Sequence, residues 1–164
     1  MFGGDTADEL QWVVCASKTY HNGMDILSDI PKLYEKLVID LDDVARQVPI
    51  DRSKIIATGL SGGAMGSHIF VYNFPTVISA IILNTGMMHR YYYDYKDRIP
   101  RGKIAAFLAS PTDFRYGEMK QDKALLDSLG WRTTWIEFQG GHTFAPQSAY
   151  EEAAKWVDEQ LKHR

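Results

Sequence analysis

The amino-acid sequence predicts an α/β fold with a mainly parallel sheet of about five strands and flanking helices. Short runs of β-branched and aromatic residues alternate along the chain with longer amphipathic segments, which is the order typical of such sheets. Several short runs are apolar at consecutive positions, as in strands that helices cover on both faces. The length of 164 residues suits one domain, which we take to span residues 1–164.

Five segments have the composition of strands. In chain order they are Gln11–Ser17, Lys54–Thr58, Val77–Leu83, Lys103–Ala109 and Arg132–Phe138. The first contains the only cysteine of the chain, Cys15, which we expect to be a small buried side chain. A single cysteine excludes an internal disulfide and a multi-cysteine metal site.

Four helices have recognisable ends. We expect them at Ile30–Gln47, Gly62–Asn73, Tyr116–Leu129 and Pro146–Lys162. The first has a proline in its first turn and stops before Pro49, and the last carries a capping box that begins at Ser148. Between the third and fourth strands, the tyrosine-rich residues 90–101 indicate a long loop or a short helix.

The charge balance excludes one large class of function. With 18 lysines and arginines against 21 aspartates and glutamates, the net charge is −3, so we expect no electrostatic binding of nucleic acid. The apolar runs are far shorter than the ~20 residues of a membrane span, and no signal peptide is visible in this chain.

The sequence Gly59-Leu60-Ser61-Gly62-Gly63 has the pattern G-x-S-x-G between a strand and a helix. In that context the pattern predicts a nucleophile elbow, a turn too tight for side chains at the flanking glycines. The helix start behind the serine offers N–H groups to an oxyanion, beginning with Gly62. The alternatives are an ordinary strand-to-helix turn and a phosphate-binding loop, although Ser61 stands where a dinucleotide loop needs its second glycine.

A serine nucleophile needs a base and a group that orients the base. His142 follows the last strand and Asp113 follows the fourth, so both should lie with Ser61 at the carboxyl edge of the sheet. The order serine, acid, histidine is the order that this elbow pattern accompanies. A surface loop histidine and a helix-capping aspartate are the plainer alternatives. The weaker competitors are His21, His89, Asp94 and Asp97, whereas His68 and His163 lie farther from the elbow.

The chain resembles α/β-hydrolases of the polyhydroxybutyrate-depolymerase and feruloyl-esterase-like group. The resemblance is carried by residues 50–63, by Thr112-Asp113-Phe114 and by residues 138–144. It implies hydrolysis of carboxylic esters through an acyl-serine intermediate, without a metal or an organic cofactor. It also implies that Ser61 is the nucleophile, His142 the general acid and base, and Asp113 the orienting acid.

The resemblance also implies that this chain lacks the usual N-terminal strands, so that its fold is a truncated α/β-hydrolase fold. Residues 2–5 then resemble the glycine-rich oxyanion loop, and Thr6–Leu10 a remnant of the following helix. The expected oxyanion donors are the N–H of Gly62 and that of Gly3 or Gly4. The rival reading is a hydrolase-like domain that binds or assembles without catalysing. A thioesterase or lipase on the same scaffold is a third reading.

Aromatic residues after the strands suggest a substrate site for a small-molecule or polymeric ester. Tyr20 and Met87 follow strand ends and are candidate pocket residues. The tyrosines at positions 91, 92, 93 and 95 either form an apolar wall for the substrate or pack in a cap or subunit interface.

The expected arrangement of the helices also predicts a homo-oligomer. Right-handed crossovers place the first three helices on one face of the sheet and leave mainly the last helix for the other. A bare apolar sheet face, and an unpaired edge on Gln11–Ser17, would favour a two-fold dimer.

Overall fold

The computed structural model describes residues 4–17, 20 and 27–163, without the side chain of Asp5. It has the α/β fold that the sequence predicts, with a parallel sheet between helices. The helices are α1 (Gly4–Leu10), α2 (Ile30–Gln47), α3 (Gly62–Asn73), α4 (Tyr91–Asp94), α5 (Tyr116–Ser128) and α6 (Gln147–Lys162). The strands are β1 (Ile55–Leu60), β2 (Ile78–Asn84), β3 (Ile104–Ala109) and β4 (Arg132–Glu137).

The four described strands lie in the order β1-β2-β3-β4 and are all parallel. The pairs Leu60↔Asn84 and Ala109↔Glu137 align the carboxyl ends of the strands at one edge of the sheet. Because the loops that follow the strands start from this edge, residues far apart in sequence can meet there. The sequence prediction of this edge is confirmed for β1 to β4.

Gln11–Ser17 is not a strand in the described part of the chain, so the predicted strand there is wrong and the described sheet has four strands where about five were expected. A strand needs a ladder partner, whatever its side chains prefer. Val13 and Val14 are each about half exposed, at 50% and 49%, and Cys15 is exposed rather than buried. The segment is tied to α6 instead, where the Trp12 indole donates to Asp158 Oδ1 at 3.3 Å.

Two apolar layers cover the sheet. Side chains of α2, α3, α4 and α5 pack on the face that carries Ile81, Leu83 and Phe107. The opposite face, with Ile82 and Leu108, packs against α6. The predicted sides of the helices are therefore confirmed, but every residue of β2 and β3 is buried, so the expected bare face does not exist on these two strands.

The helix ends follow local chemistry in most places. α2 has Pro31 in its first turn and ends before Pro49, as expected. α6 begins one residue later than expected, after the extended Pro146, so Ser148 lies inside the helix and does not cap it. Glu151 accepts a hydrogen bond from the Gln147 amide at 2.7 Å, so the predicted capping box is wrong. Among the described residues, no helix has both the length and the apolar content that crossing a membrane requires.

Candidate active site

Ser61 lies on a tight turn between β1 and α3. Its backbone has φ 54° and ψ −112°, which residues other than glycine rarely adopt. Two bonds hold the turn: the Ser61 N–H donates to the Asn84 carbonyl at 2.9 Å, and the Ser61 carbonyl accepts from the Met65 N–H at 3.1 Å. The strained residue is thus fixed from both β2 and α3, as strain at functional sites requires.

Close backbone contacts explain one of the two flanking glycines. A Cβ on Gly59 would lie 2.4 Å from the Gly63 carbonyl carbon, so no side chain fits at position 59. A Cβ on Gly63 would meet nothing within 4 Å, so the expectation that both glycines are required is wrong at position 63. Sequence reasoning missed Gly86 after β2, where a Cβ would lie 2.5 Å from the Ser61 carbonyl oxygen.

The three predicted residues lie together at the carboxyl edge. His142 Nε2 is 2.8 Å from Ser61 Oγ, and His142 Nδ1 is 2.7 Å from Asp113 Oδ2. The Asp113 side chain is completely buried, whereas that of His142 is 29% exposed. A buried carboxylate on one nitrogen favours the tautomer whose proton is on Nδ1 and leaves Nε2 free to accept the serine proton.

Two buried side chains hold the loop that carries His142, and sequence reasoning missed both. The Ser110 hydroxyl accepts from the Gly141 N–H at 2.9 Å, just before His142. In the Asn84 side chain, Nδ2 donates to the Thr143 carbonyl at 3.1 Å and Oδ1 accepts from the Ala145 N–H at 2.8 Å. The only sequence signal for Asn84 is that it is a polar residue at the end of a mainly apolar strand.

The other histidines do not reach this arrangement in the described residues. His68 is fully buried in α3, where its Nδ1 is 2.7 Å from the Tyr72 hydroxyl and burial lowers its pKa to about 3. His89 accepts from the Tyr91 N–H at 3.2 Å, and His163 follows the end of α6. His21 lies outside the described residues.

The expected oxyanion donors are at two helix starts. Gly62 is the first residue of α3, so its N–H belongs to the first turn, whose amides have no partner within the helix. Gly4 is the first residue of α1, a helix that is joined to α6 by the ion pair between Glu9 and Lys155 at 3.0 Å. Gly3 lies outside the described residues.

The two candidate pocket residues have different surroundings. Tyr20 lines an open cleft of about 1450 Å³ that also reaches Gly62 and Gly63. Its ring packs edge-on against Phe70 with centroids 4.9 Å apart, and burial, with a smaller effect of the Asp40 charge, raises its pKa to about 12. Met87 follows Gly86, and its sulfur accepts from Arg115 Nη1 at 3.5 Å.

Part of the tyrosine-rich segment packs inside the protein, although Tyr95 is 46% exposed. Tyr92 is buried edge-on against Tyr72 with centroids 4.7 Å apart, and Tyr93 donates to the buried carboxylate of Asp122. Tyr91 and Tyr95 stack at 4.5 Å beneath the Arg98 guanidinium. The competing acids Asp94 and Asp97 lie in this segment, in α4 and in the 3₁₀ turn Lys96–Arg98. Packing is therefore the better reading of this segment.

The arrangement of the three side chains is suited to nucleophilic chemistry. Within residues 4–17, 20 and 27–163, no three acidic, histidine or cysteine side chains gather as metal ligands would. The hydrogen bonds that link Asp113 through His142 to Ser61 have the geometry that activation of a serine hydroxyl requires.

Solved structures with a similar fold include esterases. The carboxylesterase of Bacillus cereus has a TM-score of 0.64 and 21% identity, over 90% of this chain and 68% of its own. Esterase PE8 has a TM-score of 0.62 and 20% identity, over 85% of this chain and 66% of its own. The S-formylglutathione hydrolase FrmB of Staphylococcus aureus has a TM-score of 0.58 and 14% identity, over 78% of this chain and 61% of its own.

These likenesses concern the fold. In its described residues the chain has a four-stranded parallel sheet flanked by helices that matches part of α/β-hydrolase structures, and it spans about two thirds of the length of these three proteins. No protein-family model matches the chain. No curated protein matches it either.

Proposed function

We propose that this chain is a serine hydrolase that cleaves carboxylic esters through an acyl-serine intermediate. The observation that carries the proposal is the unbroken hydrogen-bond chain from the Asp113 carboxylate through the His142 imidazole to Ser61 Oγ. Esterases among the solved structures of similar fold support it.

The first half of the reaction makes the acyl-enzyme. Ser61 Oγ attacks the ester carbonyl carbon while its proton passes to His142 Nε2, and the carbonyl electron pair moves to the oxygen. The Gly62 N–H, with Gly4 as the proposed second donor, stabilises this oxyanion. The carbonyl then re-forms, the bond to the alcohol oxygen breaks, and His142 Nε2 gives its proton to the departing alcohol.

The second half returns the enzyme to its starting state. Water attacks the acyl carbon as its proton passes to His142 Nε2, and Ser61 Oγ then leaves and regains a proton from the same nitrogen. Asp113 stays ionised throughout, because its function is to orient the imidazole and to stabilise the imidazolium. The net change is ester plus water to acid plus alcohol.

The substrate is an ester, and the pocket residues that we propose for it are Tyr20 and Met87. Tyr20 lines the cleft beside the elbow, and Met87 lies next to Gly86, which touches the Ser61 turn. We further propose the polyhydroxybutyrate-depolymerase and feruloyl-esterase-like group as the nearest type of activity. Thioesters and lipids are the competing substrates on the same scaffold.

A fluorophosphonate probe tests the proposal directly, because it labels only an activated serine. We expect labelling of the native chain and of Ser128→Ala, whose hydroxyl lies exposed at the end of α5, but not of Ser61→Ala. Absence of labelling on the native chain would instead favour the reading as a binding or assembly domain.

Hydrolysis of p-nitrophenyl esters tests the assignment of the partners. Ser61→Ala, His142→Ala and Asp113→Asn should each lower kcat/KM by about 10³-fold or more, because such residues act as a unit. The control His163→Ala, after the end of α6, should keep the native rate. If His142→Ala kept that rate and His89→Ala did not, the assignment of the base would be wrong.

A further inference from the structure

A large aromatic side chain stands exposed beside the base. Phe114 is 69% exposed, and its ring centroid lies 4.5 Å from that of the His142 imidazole, at an interplanar angle of 41°. Single exposed apolar residues are common on protein surfaces and carry no meaning by themselves. Phe114 differs from an ordinary one because it touches a ring that must handle the proton of the reaction.

The position of Phe114 is fixed by the same carboxylate that orients His142. Asp113 Oδ2 faces His142, while Asp113 Oδ1 accepts the Arg115 N–H at 2.6 Å, so the backbone is held on both sides of Phe114. The Arg115 guanidinium lies 5.0 Å from the Phe114 ring centroid and bonds to Glu118 at 2.8 Å. The ring is therefore ordered before substrate arrives, although most of its surface meets water.

The chemistry of the proposed reaction decides which part of an ester would meet this ring. The acyl part becomes bonded to Ser61 Oγ, whereas the alcohol oxygen must receive its proton from His142 Nε2. The alcohol part therefore leaves on the side of His142, where the exposed ring of Phe114 packs on the imidazole. The carbonyl oxygen lies on the side of the oxyanion donors.

We propose that Phe114 forms an alcohol-side subsite that selects esters of uncharged aromatic alcohols. This inference rests on the proposed function. An aromatic alcohol group gains both burial and edge-to-face packing on the exposed ring. An anionic alcohol group gains less, because Glu118 already neutralises Arg115.

Three acetate esters with alcohols of similar acidity separate this subsite from other effects: benzyl, cyclohexylmethyl and ethyl acetate. All three give the same acetyl-enzyme, so kcat/KM reports the step in which the alcohol leaves, and a shared deacylation step affects only kcat. Titration of the released acetic acid at constant pH measures all three rates without a chromophore.

We expect the preference for benzyl over ethyl acetate in kcat/KM to fall about ten-fold in Phe114→Ala, as the loss of one aromatic contact predicts. Phe114→Tyr should retain the preference, because it retains the ring. Tyr34→Ala is the matched control: Tyr34 is another exposed aromatic residue, but it packs on Phe74 at the far end of α3.

Two results would overturn the inference while leaving the proposed function intact. Equal losses of kcat/KM for benzyl and ethyl acetate in Phe114→Ala would mean that the ring only holds His142. Equal kcat/KM of the native chain for cyclohexylmethyl and benzyl acetate would mean that the subsite does not select aromatic groups. No hydrolysis of any ester by the native chain, together with no probe labelling, would overturn the proposed function and this inference with it.

Discussion

Asp122 is a fully buried carboxyl group whose ionisation should change the stability of the fold. It accepts hydrogen bonds from the Met88 N–H at 2.7 Å and from the Tyr93 hydroxyl, and thereby ties α5 to the segment after β2. Burial raises its pKa from 3.8 to about 6, with a small contribution from the Glu118 charge, against the lowering effect of the two hydrogen bonds.

The sign of the effect follows from proton binding. Between pH 4 and pH 6 the folded state holds the Asp122 proton and the unfolded state has released it, so the free energy of unfolding falls as pH rises. The shift of the Asp122 pKa from 3.8 to about 6 corresponds to about 3 kcal/mol of stability, which is fully lost above pH 6. Asp122→Asn removes this contribution, because the amide stays neutral.

Urea unfolding followed by tryptophan fluorescence from pH 4 to pH 8 measures the difference between native chain and variant. That difference is essential, because buried His68, whose pKa is lowered to about 3, contributes the opposite slope between pH 3 and 6.5. From pH 4 to pH 7, the free energy of unfolding of Asp122→Asn should rise by about 3 kcal/mol relative to that of the native chain. Asp127→Asn, an exposed carboxylate on the same helix, should show little change. Parallel curves for Asp122→Asn and the native chain would refute the reasoning.

The remaining predictions concern the elbow, its support and the assembly. Gly59→Ala should destabilise the fold by about 1–3 kcal/mol or more because its Cβ meets backbone at 2.4 Å, whereas Gly63→Ala should fold normally; thermal melting compares the two. Asn84→Ala should lower the free energy of unfolding by about 3 kcal/mol and should also lower kcat for p-nitrophenyl esters. Retention of the native kcat would show that Asn84 does not position His142. We propose a two-fold homodimer because β1 is an edge strand of the described sheet and a partner chain would cover that edge. Light scattering should then give twice the chain mass of 18.6 kDa, and a mass of 18.6 kDa at micromolar concentration would exclude the dimer.

The fold was predictable where a signal is local. The sequences of β2 and β3 are continuous apolar runs because both faces of these strands are buried. The ends of α2 are marked by Pro31 in its first turn and by Pro49 shortly after its last residue. Gln11–Ser17 has the composition of a strand but not a partner, and composition carries no information about pairing. The same limit applies to Ser148. It has the right spacing for a capping residue, but it is the second residue of α6 and so lies inside the helix.

The juxtaposition of Ser61, Asp113 and His142 could be predicted because topology alone brings it about. Each residue follows a different parallel strand, and the ends of such strands share one edge. The supports of the site could not be predicted in this way. Ser110 meets Gly141 across 31 positions, and nothing in either local sequence indicates the contact.

Asn84 joins the two halves of the proposed catalytic site. Its backbone carbonyl accepts a hydrogen bond from the Ser61 N–H. Its side chain forms hydrogen bonds with the Thr143 carbonyl and the Ala145 N–H, in the loop just after His142. Asn84, at the end of the buried strand β2, thus contacts both the turn of the nucleophile and the loop of the base, while Ser110 and Asp113 support the base from the loop that follows β3. Because β2 has strand partners on both sides, this support of the 2.8 Å contact between Ser61 and His142 comes from the interior of the described sheet. An activated serine is thus compatible with a sheet of only four described strands.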